Sequence, residues 1–153
     1  MATSMIKLLG ATAATYEVQD NAGTAQILLD GTVLTFSTAE RDQRALSFDI
    51  VLGTADDQHI VIPWACNVIA IHTVIDAALA TADEVLTFEN NAGTGLTNGV
   101  VTITQSGSAD GDIDSVTPTA NNAFTAGQKL TVAIGGQNTV AANCQVTVLL
   151  TIT

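Results

Sequence analysis

Residues 60–76 read IVIPWACNVIAIHTVID and form the longest apolar run in the chain. From Asn67 onward nearly every position is apolar, with Ile69, Ile71 and Ile75 assigned to one face and Val68, Ala70, His72 and Val74 to the other. A strand that is apolar on both faces is expected in the middle of a sheet, covered on each side. Pro63 has no N–H to give to a ladder, so the chain should bend there and separate this strand from residues 58–62, where Ile60 and Ile62 share a face. Trp64, the single tryptophan, follows the bend and is expected in the core or at a subunit interface.

Alternation of apolar and polar residues continues on both sides of this run, which is the signature of half-buried strands. Upstream, Leu46, Phe48, Ile50 and Leu52 alternate with Ser47, Asp49 and Val51. Downstream, Leu86 and Phe88 alternate with Val85 and Thr87, residues 100–104 are expected to pair back as a hairpin, and a short strand is expected near residues 113–116. Residues 129–134 and 144–152 close the set, the latter with Val146, Val148, Leu150 and Ile152 in strict alternation. Residues 77–83, AALATAD, are too short for a stable helix and are assigned to a loop. NNAGTG and AIGGQN supply hairpin turns rather than phosphate cradles, because no helix follows to present its amides. Eight short strands from residue 45 onward predict an all-β fold, an antiparallel β-sandwich of jelly-roll-like type.

The first 41 residues differ. Short apolar pieces at residues 27–29 and 33–36 are separated by DNAG and DG, which favour turns, and a hairpin is expected around Asp30-Gly31. AERDQR, residues 39–44, is the densest charge cluster. The boundary is placed there, giving an N-terminal β arm at 1–41 and a sandwich domain at 42–153.

Composition supports this class and narrows the function. The chain of 153 residues is 47% hydrophobic but only 12% charged, a balance that suits strands more than solvated helices and that points to surface buried against other subunits. An oligomer is expected. Fifteen acids against four bases give a net charge of −11, which repels nucleic-acid phosphate and anionic lipid. The start, MATSMIKLLG, is too short in apolar residues for a secretory or spanning segment, so neither nucleic acid nor membrane is expected as a partner.

No catalytic motif survives inspection, and no catalytic, cofactor-binding or metal-ligating residues are assigned. Asp110, Asp112 and Asp114 alternate like the start of a calcium loop, but the sixth and twelfth positions are Ser115 and Asn121 where Gly and Glu are needed, so a solvated acidic loop is expected. His59 and His72 have no further ligand at metal spacing. No serine stands in a G-x-S-x-G elbow. Cys66 and Cys144 are expected as buried thiols on facing strands, with a disulfide left open but disfavoured in a reducing cytoplasm.

The central run, together with VIDAALATADEVLTF and NGVVTITQSGSADGDIDSVTPTANNAFTAGQKLTVAIGG, resembles the small β-sandwich decoration, or cement, proteins on the heads of tailed bacteriophages. The resemblance spans residues 45–153 and carries no catalytic residue. It implies a non-enzymatic virion structural protein, made in the host cytoplasm, that sits on the outer capsid surface and reinforces contacts between major capsid protein subunits. It also implies a homo-oligomer, with a trimer favoured over a dimer because such proteins often occupy three-fold positions. The competing reading is a glycan- or receptor-binding sandwich of a phage fibre or surface protein, against which the 4% aromatic content argues.

Overall fold

The computed structural model describes residues 42–135 and 142–153 and the backbone of Leu28–Leu29 and Thr32–Val33. The chain falls into two units, Met1–Ser37 and Thr38–Thr153. In the first, β1 (Leu28–Leu29) and β2 (Thr32–Val33) pair antiparallel, with Leu29 opposite Thr32. These are the strands expected to flank Asp30-Gly31. The rest of the arm, the strand expected at residues 34–36 and the boundary residues before Asp42 lie outside the described residues.

The second unit contains β3 (Gln43–Val51), β4 (Gln58–Val61), β5 (Cys66–Ile75), β6 (Glu84–Glu89), β7 (Gly95–Ile103), β8 (Ile113–Val116), β9 (Ala123–Phe124), β10 (Lys129–Ile134) and β11 (Asn143–Ile152). Its two sheets run β3-β11-β5-β8 and β4-β10-β6-β7, with β9 added beside β5. Pairings across the two sheets have a simple origin: β3 meets β11, β4 meets β10, β5 meets β8 and β6 meets β7, all antiparallel. This is one long antiparallel ribbon, closed at the β6–β7 turn and wound up on itself, so that β11 also meets β5 and β10 also meets β6. The result is an antiparallel β-sandwich of jelly-roll-like topology.

The core lies between the sheets and is filled from their inward-facing positions. One sheet supplies Ile50, Val68, Ile71, Ile75, Val146, Val148 and Leu150, and the other Leu86, Phe88, Val101, Ile103, Leu130 and Val132. Alternation therefore placed the faces of β3, β6 and β11 correctly, with Leu46 and Phe48 packed against the core margin.

In β5 the alternation slips. Leu149 lies opposite Ala70 but the next residue, Leu150, lies opposite Val68, so Ile69 is an extra residue in a β-bulge. Val68 thereby joins Ile71, Thr73 and Ile75 on the inner face, and Ile69 leaves it. The outer positions Ala70, His72 and Val74 are half-buried instead of covered, so only one face of this strand reaches the core.

The hairpin turn expected from NNAGTG is present. The β6–β7 turn is at residues 90–94, where Asn90 Oδ1 accepts the amides of Ala92 (3.0 Å) and Thr94 (3.1 Å) and Gly93 takes φ 74°. Asn98-Gly99, a pair whose residue types also suit a turn, lies inside β7. There Thr87 faces Val100 while Glu89 faces Gly95, so β7 makes a wide excursion with Asn98 at φ 59°. Gly99 is required because a Cβ there would stand 2.5 Å from Leu96 Cβ. The excursion carries Thr97 to the segment before β9, where its amide donates to Ala120 O at 3.0 Å. The short β9 was not anticipated; its two residues lack a readable period.

Candidate interaction surfaces

Successive loops of an antiparallel ribbon fall at alternate ends of the sandwich, and here the two ends differ in chemistry. One end gathers the β3–β4, β5–β6 and β7–β8 connections and the start of β11. Their contacts are direct: Leu52 N donates to Ala142 O (2.8 Å), Leu79 N to Ser108 Oγ (2.8 Å) and Gly111 N to Ile75 O (2.8 Å). This end holds Asp56 and Asp57 after β3, and Asp76 and Asp83 between β5 and β6. It also holds Asp110 and Asp112 before β8, with Asp49 and Asp114 on the adjoining strand ends and Glu84 at the start of β6. No lysine or arginine among the described residues lies there.

The other end gathers the β4–β5 corner, the β6–β7 turn and residues 117–128, together with the start of β3 and the end of β11. Ile152 N donates to Asp42 O (2.8 Å) and Thr153 N to Ala65 O (3.0 Å), which sets the end of β11 between Asp42 and the corner. Among the described residues its charged side chains are Asp42 and Glu89 against Arg44 and Lys129, a balance of zero. Residues 90–94 and 117–128 carry no charge at all.

These neutral loops are held by their own amides. Asn122 Nδ2 donates to Val68 O (2.7 Å), Asn98 Nδ2 to Thr119 Oγ1 (3.1 Å) and Asn121 Nδ2 to Gly95 O (3.3 Å). Gln128 Oε1 accepts Thr125 N (2.9 Å) and Asn91 Oδ1 accepts Lys129 N (3.2 Å). A surface fixed in this way has little ordering entropy left to lose when a partner covers it. At its corner Val61 is 61% exposed and Trp64 40% exposed, with Pro63 exposed between them. Trp64 is therefore not a core residue. The Pro63 bend turns the chain out of β4 and leaves the indole on the surface.

At the acidic end, a cleft of about 570 Å³ is lined by Asp49, Val74, Ile75, Asp76, Asp110, Asn143 and Gln145. Its best-placed carboxylate is already engaged, since Asp76 accepts Asn143 N (2.8 Å) and Asn143 Nδ2 (2.7 Å). Asp112 Oδ1 accepts the amide of Ile113 (3.2 Å), and Asp114 lies on β8, its carboxyl pushed above the ordinary range first by burial and then by Asp112. Among the described residues no group of three or more His, Cys, Asp and Glu is arranged to hold a metal ion.

Glu84 is a buried acid, in phase with the apolar alternation of its strand. It occupies an inward position in line with Leu86 and Phe88 and is fully buried. Its Oε2 accepts the amide of Gly53 at 3.0 Å and its Oε1 that of Val85 at 3.3 Å, so it ties the β3–β4 loop to β6.

His59 pairs with Thr131 Oγ1 (3.1 Å) on one sheet, and His72 lies on the outer face of the other, in register with Thr147 and Ser115. The histidines therefore stand on different sheets. Cys66 and Cys144 are free and buried, but not on facing strands. They lie on the neighbouring strands β5 and β11 of one sheet, where Cys144 is opposite Ile75 and Cys66 is opposite Ile152. Nine strand residues then separate the thiols, roughly 30 Å at about 3.3 Å per residue, whereas a disulfide needs Cα atoms within about 7 Å. Burial raises the pKa of Cys66 and pushes that of Cys144 to about 12.

No family model matches the chain, and no curated protein matches it. Solved structures do. A chain of the cyanophage Pam1 capsid asymmetric unit superposes with a TM-score of 0.51 at 14% sequence identity, over 73% of this chain and 86% of that one. A chain of the acidic stable capsid structure of Helicobacter pylori bacteriophage KHP30 gives a TM-score of 0.44 at 8% identity, over 72% and 93%. At such identities the likeness to the Pam1 chain is a likeness of fold.

Proposed function

We propose that this protein is a non-enzymatic structural component of a tailed-phage virion, which decorates the outer surface of the capsid by binding the major capsid protein and thereby stabilises the shell. The observation that carries the reading is the fold shared with a chain of a phage capsid asymmetric unit. That chain is shorter than the present one, since the same alignment covers more of it.

The charge supports the outside of the shell. A body of net charge −11 is repelled by packaged phosphate, whereas an exterior position sets it in solvent. The low charge content supports a homo-oligomer, and a trimer suits a three-fold lattice position. One oligomer touching several capsid subunits gains by avidity, so contacts that are modest singly still hold. The N-terminal 41 residues supply part of the contact.

The test is co-sedimentation with undecorated heads of the phage that encodes the protein. The intact chain should saturate the heads, and a chain lacking residues 1–41 should remain folded and fail to co-sediment. Undiminished binding by the truncated chain removes the arm from the contact. Failure of the intact chain to bind heads overturns the reading. Exposed Trp64 favours glycan binding as the second reading, because an accessible indole is what a sugar ring stacks on; capture by a glycan array in place of heads selects it.

A further inference from the structure

We infer that the sandwich stands on its partner end-on: its neutral end, led by Val61, Pro63 and Trp64, is the docking surface for a folded protein of the shell, and its acidic end points away into solvent. This rests on the decoration reading above and adds which part of the domain makes the contact.

Three independent features select that end. The first is charge. Eight exposed or half-buried carboxylates lie at the acidic end with no lysine or arginine among the described residues there, while the described residues of the neutral end balance Asp42 and Glu89 with Arg44 and Lys129. Desolvating carboxylates that no cation balances is costly, so a surface dense in them makes a poor contact, and a neutral one a good one.

The second is the apolar anchor. Trp is among the residue types enriched in energetically dominant contacts, and here it stands 40% exposed near 61%-exposed Val61, at a corner held by Ile62 N donating to Gln128 O (2.7 Å) and Gly127 N donating to Ile62 O (2.8 Å). Of the three other exposed aliphatics, Val51 and Ile113 lie among Asp49, Asp112 and Asp114, where burial would bring the carboxylates with it, and Val100 stands alone on the edge strand β7 opposite Thr87. The third is connectivity. Asp42, the first described residue of the sandwich, lies at the neutral end, hydrogen-bonded to Ile152. The partner that fits is a protein surface of low net charge with an apolar recess for an indole. Among the described residues this end offers a nucleic acid or an anionic lipid only Arg44 and Lys129, balanced by Asp42 and Glu89.

The experiment compares Trp64→Glu, Val61→Glu and the acidic-end variant Asp56→Asn/Asp57→Asn/Asp110→Asn with the natural protein for binding to undecorated heads. Melting temperature and oligomer size are measured for each. Each neutral-end variant should lose roughly thirtyfold in affinity, the scale of a dominant contact residue, with its oligomer intact. The acidic-end variant should bind at least as tightly as the natural protein.

Because Trp64 is the only tryptophan, acrylamide quenching of the free oligomer reports directly whether a second copy already covers it. It should be freely quenched. A shielded tryptophan, or an oligomer that dissociates in Trp64→Glu, would make this end a subunit contact and overturn the proposal. So would unchanged head binding in both neutral-end variants, or loss of binding confined to the acidic-end variant. If the natural protein binds no heads, the decoration reading falls and takes this proposal with it; if it binds and only these variants disagree, the decoration reading stands alone.

Discussion

Ile69 and Ile71 are two residues apart on β5, and strict alternation would give them the same role; the bulge gives them opposite ones. Ile71 is fully buried on the inner face of a strand paired on both sides, while Ile69 is displaced from that face. Truncating Ile71 to alanine removes three carbons from the core. The lost transfer term is about 2.4 kcal/mol at about 0.8 kcal/mol per methylene. The unfilled space adds a cavity term, bringing the total to about 3–4 kcal/mol.

Ile69→Ala removes the same atoms from a half-buried position and should cost about 1 kcal/mol or less. For a domain of this size about 4 °C is lost per kcal/mol, so Ile71→Ala should melt roughly 12–16 °C lower than the natural protein. Ile69→Ala should melt within roughly 4 °C of it. Urea denaturation of both variants, with unchanged slope, gives the free energies directly. Equal losses in the two variants would refute the bulge and restore the uninterrupted alternation; no loss in Ile71→Ala would refute the central place of β5.

Removing the Glu84 carboxylate leaves the Gly53 amide without its acceptor, so Glu84→Ala should cost about 1–3 kcal/mol and speed hydrogen exchange at Gly53, while Glu84→Gln should keep part of the tie. The separation of Cys66 and Cys144 predicts that melting temperature is the same under oxidising and reducing conditions. Because the folded state holds the Cys144 thiol neutral up to about pH 12 against an ordinary value of 9.0, its contribution to stability is full below pH 9 and is lost as pH rises toward 12. The alkaline limb of the stability curve should be flatter in Cys144→Ala. Asp114 is shifted up as well, so the folded state prefers its neutral form and stability should rise as pH falls through the folded pKa, a dependence that Asp114→Asn should weaken. Crowding of acids at one end predicts that salt stabilises: melting temperature should climb between about 0.01 and 0.15 M, as the screening length shrinks from about 30 to about 8 Å.

Much of the fold was readable because each strand except the shortest buries one face, and burial writes itself as alternation in residues such as Leu46, Phe48 and Ile50 or Val146, Val148 and Leu150. The exceptions have physical causes. An inserted residue at Ile69 moves Val68 onto the face of Ile71 and Ile75 and takes Ile69 off it, and β5, apolar on both faces, gives no contrast from which to detect the slip. Asn98-Gly99 reads as a turn because asparagine and glycine tolerate positive φ, but a bulge within a strand uses the same tolerance.

The polarity of the sandwich was present in the sequence as well. GTADD, DAALATADE and SADGDID are rich in acids, while the connections between them, PWA, NNAGT and TPTANN, have none. That alternation from one loop to the next becomes a spatial separation only once the strands are known to be antiparallel. For Trp64 the sequence left core and interface open, because its burial depends on where the Pro63 bend points, which residue type does not specify; its exposure removes the core.

The pairing of β3 with β11 sets the order in which the domain can form. Ser47 Oγ and Thr147 Oγ1 meet at 2.9 Å across 100 residues of chain, and β4 with β10 is nearly as distant in sequence. Only the β6–β7 hairpin is local, so it is the natural nucleus, and each further pair must close a longer loop before gaining a contact. Folding should therefore be slow, in the range of milliseconds to seconds, and a nascent chain stopped short of residue 143 exposes β3 and β5 as unpaired strand edges. A protein made in many copies at once would then depend on release of its last strand to avoid sticking to its neighbours during synthesis.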